Sequence, residues 1–288
     1  MTDTRSLTTP AATLAYDVRG PLPPTDPPAL MLVAAPMTAE GFTSLAAGFD
    51  DRTVITYDPR GLGRSTRHDH STAHTPEQNA EDMHRIIAEL GIAPVDVFAS
   101  SGGAVSALAL VAAYPDDVAT LVAHEPPMLA LLPDADRAFA AEKATHAIYH
   151  EKGWGHGMAS FIALSSWKGE LTDEFAAAPP PDPAAFGLPS EDDGSRDDPL
   201  LSGVSDAITA YEPDVDAVLA APTRIVLAVG ADSAGLLTDR TTAAVAGAFG
   251  QEPVVFPGGH GGFLGGEFGQ QGDPEAFAVR LREVLDET

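Results

Sequence analysis

Val95-Asp96-Val97-Phe98-Ala99-Ser100-Ser101-Gly102-Gly103-Ala104 runs from apolar residues suited to a strand, through two serines, into small residues that open an apolar helix. A serine at such a junction can attack a carbonyl if the turn is tight enough to thrust its hydroxyl outwards. The pattern is G-x-S-x-G. The residues two before and two after the serine must be small, because strand and helix backbones pass each other there. Ser101 has Ala99 and Gly103 in those places, whereas Ser100 would put the bulky Phe98 in one of them. Ser101 is therefore the candidate nucleophile. The N–H of Gly102, at the helix start, is the first candidate donor to an oxyanion.

A serine hydroxyl is a weak nucleophile until a base takes its proton, and the base needs a third group to hold its tautomer. Phe256-Pro257-Gly258-Gly259-His260-Gly261-Gly262-Phe263 puts a histidine on a glycine-rich loop after an apolar run. His260 is the candidate base. One apolar run earlier, Val229-Gly230-Ala231-Asp232-Ser233 offers Asp232 as the orienting carboxylate, which gives the chain order serine, acid, histidine.

These groups can meet only if several strands end side by side. Residues 29–34, 53–57, 95–98, 120–123, 224–229 and 253–256 are short apolar runs of the kind buried on both faces of a parallel sheet, and residues 5–18 suit a hairpin turning at Thr9-Pro10. Helical stretches separate them. The clearest opens at Thr75-Pro76-Glu77-Gln78, a capping pattern with proline at the first helical position, and others fall near 39–48, 102–114, 238–249 and 275–286. Alternation of this kind predicts an α/β chain with a doubly wound, mostly parallel sheet and a site at the carboxyl ends of its strands. Residues 130–221 break the alternation. Helical patches there surround Ala178-Pro179-Pro180-Pro181-Asp182-Pro183 and an acidic run at 191–198, read as solvated loop. The segment is expected to be a helical cap or lid between the sixth and seventh strands, on a core of 1–129 and 222–288.

With these features in hand, the chain resembles the α/β-hydrolase fold family over nearly its whole length apart from the inserted segment. Besides the serine turn and the Gly-His loop, Tyr57-Asp58-Pro59-Arg60-Gly61-Leu62-Gly63-Arg64-Ser65 is similar to the Asp-x-Arg-Gly-x-Gly-x-Ser turn after the fourth strand of many members. The resemblance implies a second oxyanion donor after the third strand. Ala35-Pro36 stands there in place of the usual His-Gly; proline has no N–H, so Met37 is the expected donor. It also bears on the acid. Many relatives carry it three residues after the strand-ending glycine, where this chain has Ser233, and some, including certain haloalkane dehalogenases, carry it after the sixth strand, where His124-Glu125-Pro126-Pro127 lies. Asp232 is the first choice and Glu125 the alternative.

The implied activity is that of a serine hydrolase with no cofactor and no metal, cleaving an ester, thioester or lactone of a small, largely apolar molecule through an acyl-enzyme. Two rivals are a non-hydrolytic enzyme on the same fold (a lyase, acyltransferase, perhydrolase or cyclase of secondary metabolism) and a ligand-binding protein with a slow, vestigial triad. A serine at the turn argues against epoxide hydrolase or dehalogenase chemistry, which in this family uses aspartate there. Trp154, Phe161 and Trp167 are candidates to line the substrate pocket, with core packing between helices as the alternative.

Composition narrows the partners. Sixteen basic against 42 acidic residues give a net charge of −26, which repels nucleic acid and anionic membrane. The opening Met1-Thr2-Asp3-Thr4-Arg5-Ser6 lacks a signal-peptide pattern and no apolar run is long enough for a bilayer, so a cytoplasmic location is expected. The absence of cysteine removes thiolate chemistry. Gly61-x-Gly63 lacks a third glycine at dinucleotide spacing, and His68, His70 and His74 match no standard zinc spacing and read as a solvated loop. Oligomeric state is not legible.

Overall fold

A computed structural model describes residues 2–287. Strands β1 (Thr2–Thr8) and β2 (Ala12–Arg19) form the expected hairpin, closed by the Thr9 N–H on the Ala12 carbonyl at 2.7 Å. The strands that follow are β3 (Leu30–Ala35), β4 (Val54–Tyr57), β5 (Val95–Ser101), β6 (Val118–His124), β7 (Arg224–Gly230) and β8 (Val254–Phe256). They lie in the order β1-β2-β4-β3-β5-β6-β7-β8, with a two-residue strand, Thr66–Arg67, added beside β2. β2 is antiparallel to β1 and β4, and every pairing from β4 through β8 is parallel. The chain moves outwards from β3 in both directions, to β4 on one side and β5 on the other. That reversal opens a crevice at the carboxyl ends of β3 and β5.

The period-two alternation of side chains divides the core. Met31, Val33 and Ala35 of β3 face a cluster shared with helices α2 (Pro76–Leu90) and α3 (Gly102–Ala113). Leu30, Leu32 and Ala34 face a second cluster with Phe42, α1 (Thr43–Ala47) and α10 (Pro274–Asp286). Both faces of the strands are therefore buried, which is why they read as unbroken apolar runs. Helix α2 begins as its sequence demands: the Thr75 hydroxyl accepts the Gln78 N–H at 3.3 Å, Pro76 fills the first turn, and Gly91 closes the helix at φ 61°.

Between β6 and β7 the described chain is helical, with α4 (Ala135–Lys152), α5 (Trp154–Ser165), α6 (Asp173–Ala177), α7 (Asp206–Thr209) and α8 (Val215–Ala220). Leu129, Leu132, Ala138, Leu164 and Leu171 give this insertion a small core of its own. The acidic run is less free than its composition suggests. Asp198 accepts the Trp154 indole N–H at 3.0 Å and donates its own N–H to the Tyr149 hydroxyl at 3.0 Å, so residues near 198 are pinned to α4 and α5. Helix α9 (Leu237–Ala248) precedes β8. No helix among the described residues is long and apolar enough to cross a membrane.

Candidate active site

The turn after β5 has the geometry its small residues permit. Ser101 ends the strand at φ 57°, ψ −132°, a backbone conformation that residues with a side chain rarely adopt. A Cβ on Gly103 would lie 2.5 Å from the Ala34 Cα, and one on Gly102 2.7 Å from the Ala35 carbonyl oxygen. Helix α3 can leave the turn only because both are glycine. The two serines face opposite ways. Ser100 is buried and its hydroxyl is 3.1 Å from Nδ1 of His124, its cross-strand neighbour on β6, whereas Ser101 lines a cavity of about 390 Å³.

His260 lines the same cavity, on the loop after β8. Its Nδ1 is 2.7 Å from Oε2 of Glu125, whose other oxygen accepts the Gly230 N–H at 2.8 Å. Glu125 follows β6 directly, is wholly buried, and turns back at φ 49°. Burial alone would raise its carboxyl, but the hydrogen bond from His260 and the neighbouring charges of His124 and His260 outweigh it and bring the group down to about 2. An ionised carboxylate can only accept, so the proton sits on His260 Nδ1 and the lone pair on Nε2. Nε2 is the nitrogen a serine proton would need.

Asp232 is on the cavity rim, exposed, and makes no side-chain hydrogen bond to His260. The carboxylate brought against His260 is thus Glu125 and not Asp232. Asp232 falls in a short helical turn after β7 whose buried residue is Ser233, and Ser233 lies in the Glu125 environment, where its hydroxyl helps hold the carboxylate ionised. Sequence reasoning weighed Glu125 second. The signal that could have ranked it first was Ser233 itself, a non-acid in the place where relatives carry the acid.

The Asp58-to-Ser65 turn acts at one remove. Asp58 accepts the Ala39 N–H at 2.9 Å and the Arg64 N–H at 2.8 Å, and the Ser65 hydroxyl donates to the Asp58 carbonyl at 2.6 Å. Gly63 is at φ 52°, where a Cβ would strike an Asp58 carboxyl oxygen at 2.6 Å. The turn therefore fixes Ala39, two residues beyond Met37, and with it the loop between β3 and α1. Arg60 grips Asp82 of α2 through two bonds of 2.7 and 2.6 Å, tying this loop to the helix that packs on α3. The N–H groups of Gly102 and Met37 form no hydrogen bond to protein among the described residues. Ala35, Pro36 and Gly102 all line the cavity.

Of the three aromatic pocket candidates, Phe161 lines this cavity and the two tryptophans do not. Trp154 is turned to Asp198, and Trp167 gives its indole N–H to the Glu170 carbonyl at 3.0 Å and packs edge-on to Phe175. His68 and His70 are exposed as expected; His74 is buried, its N–H on the Val204 carbonyl at 2.8 Å. His124 carries its own signature. It is fully enclosed beside Phe98, Phe256, Phe263 and Phe277, its Nε2 has no partner, and burial with the nearby His260 charge lowers it to about 4 against the opposing pull of Glu125.

Residues 27–145 match the family model described as alpha/beta hydrolase fold. The uncharacterized hydrolase YraK of Bacillus subtilis (strain 168) is 34% identical over 128 residues, 44% of this chain and 46% of that protein, so the matched stretch spans under half of the relative. A thermophilic esterase from Thermogutta terrifontis superposes over 98% of both chains at TM-score 0.63 and 21% identity. Homoserine O-acetyltransferase from Staphylococcus aureus covers all of this chain and 96% of its own at TM-score 0.67 and 14% identity. The sheet order, the turn at Ser101 and these likenesses agree on one architecture: the chain has the α/β-hydrolase fold.

Proposed function

We propose that this chain is a serine hydrolase that opens an ester, thioester or lactone of a small molecule through an acyl-enzyme on Ser101. The observation that carries the reading is the 2.7 Å contact of His260 Nδ1 with the buried Glu125, in a cavity shared with a serine at φ 57°. His260 Nε2 takes the Ser101 proton as Oγ bonds to the carbonyl carbon, and the carbonyl electron pair moves to oxygen. The N–H groups of Gly102 and Met37 hold that oxyanion. Collapse of the intermediate breaks the bond to the leaving oxygen or sulfur, which receives the proton from His260. Water then gives a proton to His260 and attacks the acyl carbon; Ser101 leaves, recovers the proton, and an acid is released. Glu125 holds the imidazole and offsets its charge throughout.

The His260 side chain is 46% exposed, so water can reach it for the second half of the reaction. The helical insertion acts as a cap over the site, with Phe161, Leu164 and Ile208 shaping the acyl pocket. The test is a panel of p-nitrophenyl esters of increasing chain length, with a lactone and a peptide amide, on the protein and on Ser101→Ala. Ester or lactone cleavage lost in Ser101→Ala is expected; turnover that survives the substitution contradicts the proposal.

A further inference from the structure

The wall of the Ser101 cavity is mostly apolar, contributed by residues such as Leu129, Phe161, Leu164, Leu236 and Leu237, yet one end is acidic. Glu142 and His146, one turn apart on α4, meet Asp206 at the start of α7 with their polar atoms within 4.8 Å of one another. His146 Nδ1 is 3.5 Å from the nearer Asp206 oxygen. Helix α7 lies directly on the serine turn: a Cβ at Gly102 would be 3.1 Å from Ile208, two residues beyond Asp206. The acidic end is thus within a helical turn of the contact with the oxyanion donor. Asp232 adds a further carboxyl on the rim, and no lysine or arginine lines the cavity among the described residues. Glu142 is half-buried while Asp206 and Asp232 are exposed, so these carboxyls present negative charge to whatever enters this end of an otherwise apolar cavity.

We propose that this end selects substrates whose body carries a positively charged amine or quaternary ammonium, seated between Glu142 and Asp206 while the ester carbonyl lies at Ser101. The inference deepens the acyl-enzyme reading and rests on it. Burial, opposed by a hydrogen bond from Thr209 and helped by the charge of Asp206, lifts Glu142 to about 7, so a cation seated beside it would favour its ionised form. Burial lowers His146, against the pull of Asp206 and with the help of His150, which disfavours its cationic form.

The test uses two pairs of esters that differ only by nitrogen against carbon. One pair is butyrylcholine and 3,3-dimethylbutyl butyrate; the other is the p-nitrophenyl esters of 4-(trimethylammonio)butyrate and 5,5-dimethylhexanoate. Above the Glu142 value of about 7, the cationic member of at least one pair should have the higher kcat/KM, by up to about fivefold, the worth of one partly exposed charge pair. Glu142→Gln and Asp206→Asn should each bring that ratio towards one, with the neutral isostere reporting folding and chemistry in the same variant. A preference for the neutral ester in both pairs, or a cationic preference that survives the double substitution, overturns the inference. So does a preference that appears only after EDTA, since the three side chains would then hold a divalent metal. Calorimetry of each pair on Ser101→Ala separates the two readings. Cation-selective binding without acyl-enzyme formation in the unmodified protein would sink the acyl-enzyme reading alone; ester turnover without such selectivity would sink this inference alone.

Discussion

Glu125→Gln is the substitution that the geometry of the site makes most informative, because it keeps shape and removes one capacity. The carboxylate accepts two bonds, from His260 Nδ1 at 2.7 Å and from the Gly230 N–H at 2.8 Å, in a wholly buried position. An amide has one oxygen. If that oxygen stays on the Gly230 N–H, the amide nitrogen faces His260 and can only donate, so Nδ1 must become an acceptor and the proton moves to Nε2. The imidazole then holds the wrong tautomer and loses the negative charge that offsets its protonated form. An equivalent change in a serine triad lowers turnover about ten-thousand-fold, or about 5 kcal/mol of transition-state stabilisation. Asp232→Asn should change turnover less than about threefold, since Asp232 is exposed and has no bond to His260. Single-turnover acylation by p-nitrophenyl acetate, followed well above the ordinary histidine pKa of about 6.5, separates the two variants. A crippled Asp232→Asn beside an active Glu125→Gln would refute the reasoning.

Three further outcomes follow from named contacts. Ser101→Gly should be more stable than Ser101→Ala by about 1 kcal/mol, because only glycine relaxes at φ 57° and ψ −132°; thermal midpoints with alanine at or above glycine would show that the turn is unstrained. Gly103→Ala should destabilise the fold by about 3 kcal/mol or more, since its Cβ would sit 2.5 Å from the Ala34 Cα; a urea midpoint within error of the parent rules out the close approach. His124 is buried with its pKa brought down to about 4, so the folded state takes up a proton less readily than the unfolded chain. Its contribution to stability is complete above about pH 6.5 and is lost as pH falls towards 4, with a slope of up to about 1.4 kcal/mol per pH unit. His124→Phe should flatten that slope in urea titrations, and an unchanged slope assigns the acid sensitivity elsewhere.

The parts of this account legible in the sequence are those set by local sterics and short-range pattern. The strands read as apolar runs because both sheet faces are covered, and Ser101 was separable from Ser100 because Phe98 cannot occupy a place where two backbones cross. The carboxylate set against His260 was not, because its choice is made over distance. Glu125 is 105 residues from Gly230 and 135 from His260, and the φ of 49° that turns it inwards leaves no mark in composition. The tryptophans fail for a different reason. Trp154 shares a helical face with Phe161 but lies two turns away, about 10 Å along α5, far enough to meet Asp198 instead of the cavity. Trp167 falls beyond the last residue of that helix, where helical spacing predicts nothing.

The central claim is that Ser101 becomes covalently acylated. Mass spectrometry of proteolytic peptides, after brief exposure of the protein to a fluorophosphonate and separately after an acid quench during turnover of a p-nitrophenyl ester, tests it directly. A single adduct is expected in each case, on the peptide that contains Ser101 and localised to that residue, absent from Ser101→Ala. Turnover with no adduct, or an adduct on Ser100 or on any residue outside this turn, would contradict it.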